Sequence, residues 1–494
     1  MTAPKTLDAP YRPVRIFGPE YRTATLGIVL VVTLIAFEGM AVGVVMPAVS
    51  ADLDAIDLYG WSFSAFLMSC LFANVVAGLW SDRKGHALPF LLGVFLFIVG
   101  MLLAGVAQSK EMFILARAVQ GLGGGAVIVA AYVMIARVYV PEARPKVFAA
   151  LSGAWVVPAL VGPSVSALIA DLLGWRWVFF GIVPLVIPAL IMLLPALRVG
   201  PAAGAVGAAD AADAAGATGG ADQTAAGDRT ASGPPAGLRS RAWARTVAAT
   251  TAAGGAGLLL YGLDTMDNTP ALGAVEIIVG LALLAFGLPL LLPRRALRFA
   301  RGLPTTVMMR GLLSAAFFGV NAFIPLLLTK VHGFSLTQAG FALTIGAIGW
   351  SFGSYLQSKR TFDRVRLVRF GACAVAAGVA LALPAALPGM SGWMVVPAWL
   401  VAGLGMGIAV SSVNVTTLKQ SPEGEQGVNS AALQVTDTLG SSLSIGVGGA
   451  VINMAGHGAG QIATGFALIA GLMTALGVFG ILVSGRMRES SFAT

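Results

Sequence analysis

Residues 34–47 read LIAFEGMAVGVVMP. They lie inside an apolar run from Ala24 to Val49 that, as one α-helix at 1.5 Å per residue, would extend about 39 Å and so exceed the ~30 Å hydrocarbon thickness of a bilayer. Near the middle of that run stands a carboxylate, Glu38. Insertion-based scales put an ionised acid at a helix centre at roughly 2.5–3.5 kcal/mol, so Glu38 is expected to face a partner or an aqueous cavity and not lipid.

The rest of the chain follows the same plan. Of 494 residues, 57% are hydrophobic and 11% charged, and the mean hydropathy is +0.86. That balance excludes a soluble domain with a charged surface and predicts an all-α integral membrane protein. Fourteen spans are expected, near 24–49, 60–81, 87–107, 112–137, 146–172, 177–197, 243–263, 273–292, 305–330, 335–358, 368–388, 392–418, 428–452 and 461–484. The segment before them, 1–23, is polar and basic. The first run is too long for a signal-peptide core and has no cleavage site, so it is expected to be a retained helix.

A formal charge of +9 invites a polyanionic partner, but its distribution argues otherwise. Numbered from a cytoplasmic N-terminus, the inner loops and adjoining helix ends take nearly all the Lys and Arg. Only Lys110, Arg176 and Lys330 fall in outer loops, and Arg117 and Arg310 fall within spans. This asymmetry places both termini, including the tail 485–494, in the cytoplasm, and nucleic acid is not an expected partner. Cys70 and Cys373 stand in apolar runs of opposite halves and are expected to be packing residues, with no metal and no cofactor.

Between spans 6 and 7 the composition changes to PAAGAVGAADAADAAGATGGADQTAAGDRTASGPPAG, Pro201 to Gly237. A stretch of small residues without apolar periodicity cannot bury enough surface to fold, so 199–242 is expected to be a flexible cytoplasmic linker. It divides the chain into a six-helix bundle, 24–198, a hairpin of two helices, 243–292, and a second six-helix bundle, 305–484. A faint repeat supports the division: GLWSDRKGHAL from Gly78 and GSYLQSKRTFD from Gly353 each follow the second span of their bundle. Repeated halves around a central site are common among transporters.

Four motifs carry a resemblance to a known family. GLWSDRKG, with Gly78, Asp82, Arg83 and Gly85, resembles the Gly-x-x-x-Asp-Arg-x-Gly loop signature of the major facilitator superfamily, and RAVQGLGGG in span 4 resembles its Arg-x-x-Gln-Gly motif. Gly153 followed by Gly162-Pro163 in span 5 is similar to the antiporter motif. GWRWVFFGIVP from Gly174 and FEGMAVGVVMP from Phe37 are similar to segments of the fourteen-helix drug:proton antiporter family. Two departures stand out: His86 and Ala87 replace the basic pair that closes the loop motif, and Ser166-Ala167 replace the Gly-Gly that closes the antiporter motif.

The resemblance implies two six-helix bundles around a central cavity with the hairpin packed peripherally. It implies a monomeric, proton-coupled exporter of lipophilic compounds in a bacterial plasma membrane, working by alternating access. Glu38 occupies the family's acidic position in span 1 and is expected to carry the coupling proton, with Asp437 as the second intramembrane acid. Asp82 is expected to cap a helix of the other bundle while Arg83 pairs with Glu142, forming a conformational latch. Gly153, Gly162 and their small neighbours are expected to let helices approach closely.

Residue spacing supplies the remaining candidates. Arg117 and Gln120 share a face of span 4, and Gln434, Asp437 and Ser441 share one of span 13. Arg310 and Asn321 join Arg117, Gln120 and Gln434 as candidate cavity residues, although Arg117 and Arg310 are also near enough to their helix ends to snorkel. A symporter, an exporter of a lipid or siderophore, and a non-transporting receptor or scaffold remain open alternatives, since this fold does not specify a ligand. The sequence contains no Gly-x-x-x-x-Gly-Lys-[Ser/Thr] loop, catalytic triad or metal-ligand spacing, so an enzyme is not expected.

Overall fold

The computed structural model describes residues 15–140, 142–198, 236–266, 269–358, 363–422 and 425–488, without the side chains of 82–84, 145, 149, 152 and 236–242. The expected linker therefore lies outside the described residues up to 235, as do residues 359–362 of the second repeat loop.

The apolar runs form helices because a bilayer offers no other partner for backbone N–H and C=O groups. In the first half these are α1 (Arg22–Asp52), α2 (Tyr59–Lys84), α3 (Ala87–Gly105), α4 (Lys110–Val138), α5 (Arg144–Leu173), α6 (Arg176–Phe180) and α7 (Val183–Leu197). Next come α8 (Ala236–Thr265) and α9 (Pro270–Leu291). The second half contains α10 (Leu303–Asn321), α11 (Ile324–Lys330), α12 (Leu336–Ser358), α13 (Arg364–Ala382), α14 (Val395–Gln420), α15 (Gln426–Ala455) and α16 (Ala459–Val483).

Two expected spans are interrupted. The chain breaks between α6 and α7 and again between α10 and α11, and Pro184 and Pro325 each fall in the first turn of the segment that follows, where a missing N–H breaks no helical bond. Counting each broken pair as one crossing, thirteen helices among the described residues are long and apolar enough to cross a membrane. The expected tenth span also forms, as the 23-residue α12, but its Gly, Ser, Thr and Gln content keeps it outside that set. Helix α8 begins at Ala236, inside the segment expected as linker.

Packing sorts the helices into two groups. Helices α1 and α5, α2 and α4, and α3 and α4 pack together in the first; α10 and α15, α12 and α14, and α13 and α14 pack together in the second. The groups meet along two seams, α2 against α15 and α5 against α12. Helices α2 and α12 are the second spans of their bundles and α5 and α15 the fifth, so the seams are related by the repeat.

One end of the molecule, here the basic face, carries Arg22, Arg137, Arg144, Arg294, Arg295 and Arg364. At the opposite end the seams are closed. Tyr59 donates to the Ala322 carbonyl at 3.1 Å, Ser64 to that of Ser442 at 2.9 Å, and Asn453 to that of Asp57 at 2.6 Å. In the other seam Thr337 donates to Asp171 at 2.7 Å, and Ser164 lies 3.2 Å from Thr344. Toward the basic face the same helix faces carry exposed residues: Gly153 and Val156 on α5, Ile348 and Tyr355 on α12, Ala431 and Gln434 on α15. The two bundles thus enclose a cleft open toward the basic face.

The hairpin α8–α9 is held by glycines at seven-residue spacing, Gly255 and Gly262 facing Gly273 and Gly280, where an added Cβ would meet opposing backbone at 2.6–2.8 Å. Such small-residue faces let membrane helices approach closely. Helix α8 packs on α2 and α15 together. Leu260 fills the space beside Gly446, and Asp264 accepts from Asn453 at 2.9 Å. The hairpin therefore backs one seam and not the other.

Candidate functional site

The acid near the middle of α1 has a partner. Glu38 and Arg117 form an ion pair through Oε1 and Nη1, with side-chain exposures of 1% and 2%. Arg117 reaches Glu38 because α4 crosses close to α1 at that level, and it does not snorkel. Its Nη1 also donates to Gln120 one turn on, its Nε donates to the Ser62 carbonyl at 3.0 Å, and its guanidinium lies 4.6 Å over the Phe66 ring. Gln120 Nε2 contacts Met101 Sδ at 2.6 Å. Glu38 Oε2 is buried and accepts no hydrogen bond.

The second bundle holds a second pair. Arg310 Nε donates to Asp437 Oδ1 at 2.9 Å and Nη2 to Oδ2 at 3.1 Å, the bidentate geometry that a guanidinium presents to a carboxylate. Ser314, one turn along α10, donates to Oδ1. Here the side chains are 16% and 17% exposed. Arg310 Nη1 makes no hydrogen bond. Both basic residues that could have snorkelled are instead bound to the two intramembrane acids.

The other candidates separate. Gln434 is exposed in the cleft, 3.4 Å from Thr438 Oγ1. Asn321 is held at the end of α10 by the Trp399 indole, which donates to it at 3.0 Å. Trp399 stacks on Phe317 at 4.9 Å, and Phe317 meets Trp350 edge-on at 5.6 Å. The sequence reading did not single out this aromatic cluster; its only signal was Trp350 and Trp399 in otherwise small-residue spans.

In the loop motif, the Asp82 and Arg83 side chains lie outside the described residues, and Glu142 is exposed between α4 and α5. Gly85 ends α2 at φ 92°, a left-handed conformation that disfavours side chains. Gly78 meets Val129 at ordinary contact distance. The end of α2 is gripped by a residue not anticipated, Arg137 of α4, which donates to the Ser81 carbonyl at 3.0 Å. Beside it His86 is buried, with Nε2 3.4 Å from the Ala196 carbonyl and Nδ1 without a partner. Burial holds this imidazole below its ordinary value.

The antiporter motif requires a correction. Gly153 allows no close approach: an added Cβ would meet nothing within 4 Å. Gly162 makes ordinary contact with Met40 and Phe37 of α1. The tight contact comes from the other bundle, where a Cβ on Gly340 would meet the Pro163 carbonyl oxygen at 2.7 Å and Ala167 at 3.3 Å. A glycine motif in one helix does not reveal which of its glycines meets a neighbour, because that depends on the partner helix. A groove of about 810 Å³ lined by Met454, Leu468 and Leu472 lies between α15 and α16, away from all these residues.

The comparisons agree with this architecture. A model of the Major Facilitator Superfamily matches residues 28–445. Multidrug resistance protein 3 of Bacillus subtilis (strain 168) is 31% identical over 160 residues, 32% of this chain and 31% of that protein. Multidrug transporter protein MdtP of the same organism is 27% identical over 172 residues, 35% of this chain and 32% of that protein. The chain thus spans about a third of the length of these curated relatives. Among solved structures, a bacterial homolog of the human lysosomal transporter Spinster, inward-facing and unoccupied, superposes with a TM-score of 0.63 at 16% identity, covering 96% of this chain and 99% of that one. A D-xylose–proton symporter gives 0.58 at 16% identity, covering 92% and 97%. With one family description spanning residues 28–445 and a fold shared along nearly its whole length, the chain belongs to the major facilitator superfamily.

Proposed function

We propose that the chain is a proton-coupled exporter of lipophilic compounds, built on the fourteen-span plan of the drug:proton antiporters. In this reading it works by alternating access as a monomer in a bacterial plasma membrane, with the basic face and both termini in the cytoplasm. The observation that carries the reading is the Glu38–Arg117 pair, sealed inside the first bundle. A buried ion pair is a poor source of stability, because desolvation costs several kcal/mol per ion and well-packed apolar residues of the same volume often do as well or better. What the pair adds is a carboxyl that can exchange charge for neutrality. A proton on Glu38 removes the charge that holds Arg117 and leaves Gln120 and the Ser62 carbonyl as its partners. That change loosens α1 from α4, the kind of two-state contact that an alternating-access cycle needs.

The half-buried rings of Phe37, Phe66, Phe318 and Trp350 support a lipophilic cargo, with Gln434, Asn321 and the partly exposed Arg310 as polar contacts. Asp82, Arg83 and Glu142 form the proposed latch at the cytoplasmic loops, and Gly162 and Pro163 belong to the sliding seam. The names of the two Bacillus relatives favour drugs among lipophilic cargoes.

The test is substrate export and proton release measured together in proteoliposomes. Glu38→Gln is expected to retain downhill movement and lose gradient-driven export. Undiminished uphill export would overturn the assignment and transfer coupling to Asp437, the second reading, which is favoured by that residue's partial exposure in the cleft. Comparing opposed with aligned proton gradients distinguishes antiport from symport.

A further inference from the structure

The connection from α9 to α10 reads PRRALRFAR, Pro293 to Arg301, and carries Arg294, Arg295, Arg298 and Arg301. Its backbone is tightly wound: Arg295 and Phe299 take the left-handed conformation, at φ 62° and 50°, on either side of a short turn, Ala296–Arg298. Phe299 packs edge-on to Phe479 of α16 at 5.4 Å, and the Gly302 N–H donates to the Arg486 carbonyl at 2.8 Å. Arg486, distant in sequence, is thereby held beside Arg301. The hairpin adds a sixth arginine. Gly287 of α9 faces Ala248 of α8, which brings Arg245 and Trp243 to the same end of the hairpin as Arg294.

All six arginines are exposed, and among the described residues none of their guanidinium groups makes a hydrogen bond or an ion pair. Other arginines of the basic face spend donors on the protein: Arg137 on the Ser81 carbonyl, Arg144 on those of Tyr139 and Ala136, Arg364 on Gln357. Nor is the face short of acids. Glu20, Glu142, Asp363 and Glu425 are exposed there, yet none pairs with the six, and Asp363 is held by Arg488 at 2.9 Å. The positive-inside bias accounts for basic residues at this end, but not for six that converge unpaired from three parts of the chain.

The apolar neighbours decide which kind of anion fits. The loop leaves a span that ends at Leu291 and enters another that begins at Leu303, so it lies where hydrocarbon gives way to headgroups. Leu297, set among the arginines, is 45% exposed, and Trp243 is 70% exposed. Tryptophan settles at that boundary. A soluble phosphate has no contact to offer either side chain, whereas a phospholipid brings acyl chains to them and a phosphodiester to the guanidinium groups.

We infer that the α9–α10 loop, with Arg245 and Arg486, is a binding site for the headgroup of an anionic phospholipid in the leaflet at the basic face. Its phosphodiester takes donors from the hairpin, from the approach to α10 and from the segment after α16, and so ties the hairpin to the second bundle. The site is independent of what the cleft carries.

The experiment is native mass spectrometry of the full chain released from micelles containing equal amounts of phosphatidylglycerol and phosphatidylcholine. Phosphatidylglycerol is expected to be retained roughly tenfold more often. The triple variant Arg294→Gln, Arg298→Gln, Arg301→Gln should lose that preference. Arg364→Gln, Arg366→Gln, Arg369→Gln removes equal charge from another part of the same face and should keep it. Inorganic phosphate should not displace the lipid. Because losing arginines beside a span can disturb insertion, the unaltered protein supplies a second measurement, hydrogen exchange in nanodiscs of either lipid. Residues 294–302 should exchange roughly threefold more slowly in phosphatidylglycerol, and residues 364–370 alike in both. The site is overturned by equal retention of the two lipids, by a loop variant that keeps the preference, by a control variant that loses it, by displacement with phosphate, or by unchanged exchange at 294–302.

Discussion

Among the described residues the molecule contains two intramembrane ion pairs in two surroundings. Glu38 and Arg117 are closed off from solvent, wrapped by Gln120, the Ser62 backbone and Phe66, and they leave an acceptor orphaned. Arg310 and Asp437 are partly exposed, joined by two hydrogen bonds and a serine, and they leave a donor orphaned. Nor are the pairs copies related by the repeat. In the first bundle the acid is on the first span and the base on the fourth; in the second the base is on the first span and the acid on the fifth. The repeated fold supplies two similar cradles, and the sequence has furnished them differently. A sealed carboxyl suits a proton whose access is gated by conformation, whereas an open pair suits contact with cargo.

The largest effect should come from removing the base of each pair. Arg117→Met strands a buried carboxylate and is expected to destabilise the protein by about 3–5 kcal/mol, read as thermal unfolding in detergent. Arg310→Met should cost less, because water in the cleft can take over part of the solvation of Asp437. Equal losses would erase the distinction between the pairs.

Access can be measured directly. A water-soluble carbodiimide added from the basic side should modify Asp437 at least tenfold faster than Glu38, followed by mass spectrometry of the two peptides, since that ratio corresponds to only about 1.4 kcal/mol of differential access. Faster labelling of Glu38 would show that the first pair is the open one.

The seams extend the comparison. A branched side chain at Gly340 must push the Pro163 carbonyl away, so Gly340→Val is expected to cost about 1–3 kcal/mol and to widen the α5–α12 distance between spin labels. Gly153→Ala points into open space and should change stability by no more than about 1 kcal/mol, in the stabilising direction if helix propensity alone acts. Reversal of this ranking would return the close approach to the antiporter motif.

The smallest expected effect lies at His86. Its imidazole is held below the ordinary value chiefly by burial, with Arg137 adding like charge. The unfolded state therefore takes up a proton first. The stability held by the neutral ring is complete above the unfolded histidine value of about 6.5 and declines as pH falls below it. His86→Gln should flatten the loss of thermal stability between pH 7 and pH 5, and an unchanged slope would exclude His86 as its source.

Composition and residue order determine by themselves that the chain crosses a membrane many times, that its positive charge collects at one face, and that Glu38, Arg117, Arg310 and Asp437 stand inside spans. These are local facts. A helix is dictated by the solvent around its own backbone, and a charge within an apolar run is visible wherever it occurs. The loop and helix 1 motifs were likewise legible as short strings. The pairing was not. Glu38 and Arg117 are 79 positions apart and Arg310 and Asp437 127 apart, and helices apolar all round carry no stripe to say which face meets which neighbour. Gly340 set against Pro163, the hairpin's backing of one seam, and the break that places Asn321 against Trp399 have the same origin. Only tertiary packing decided these contacts, because each needs two surfaces and a single stretch of sequence describes one.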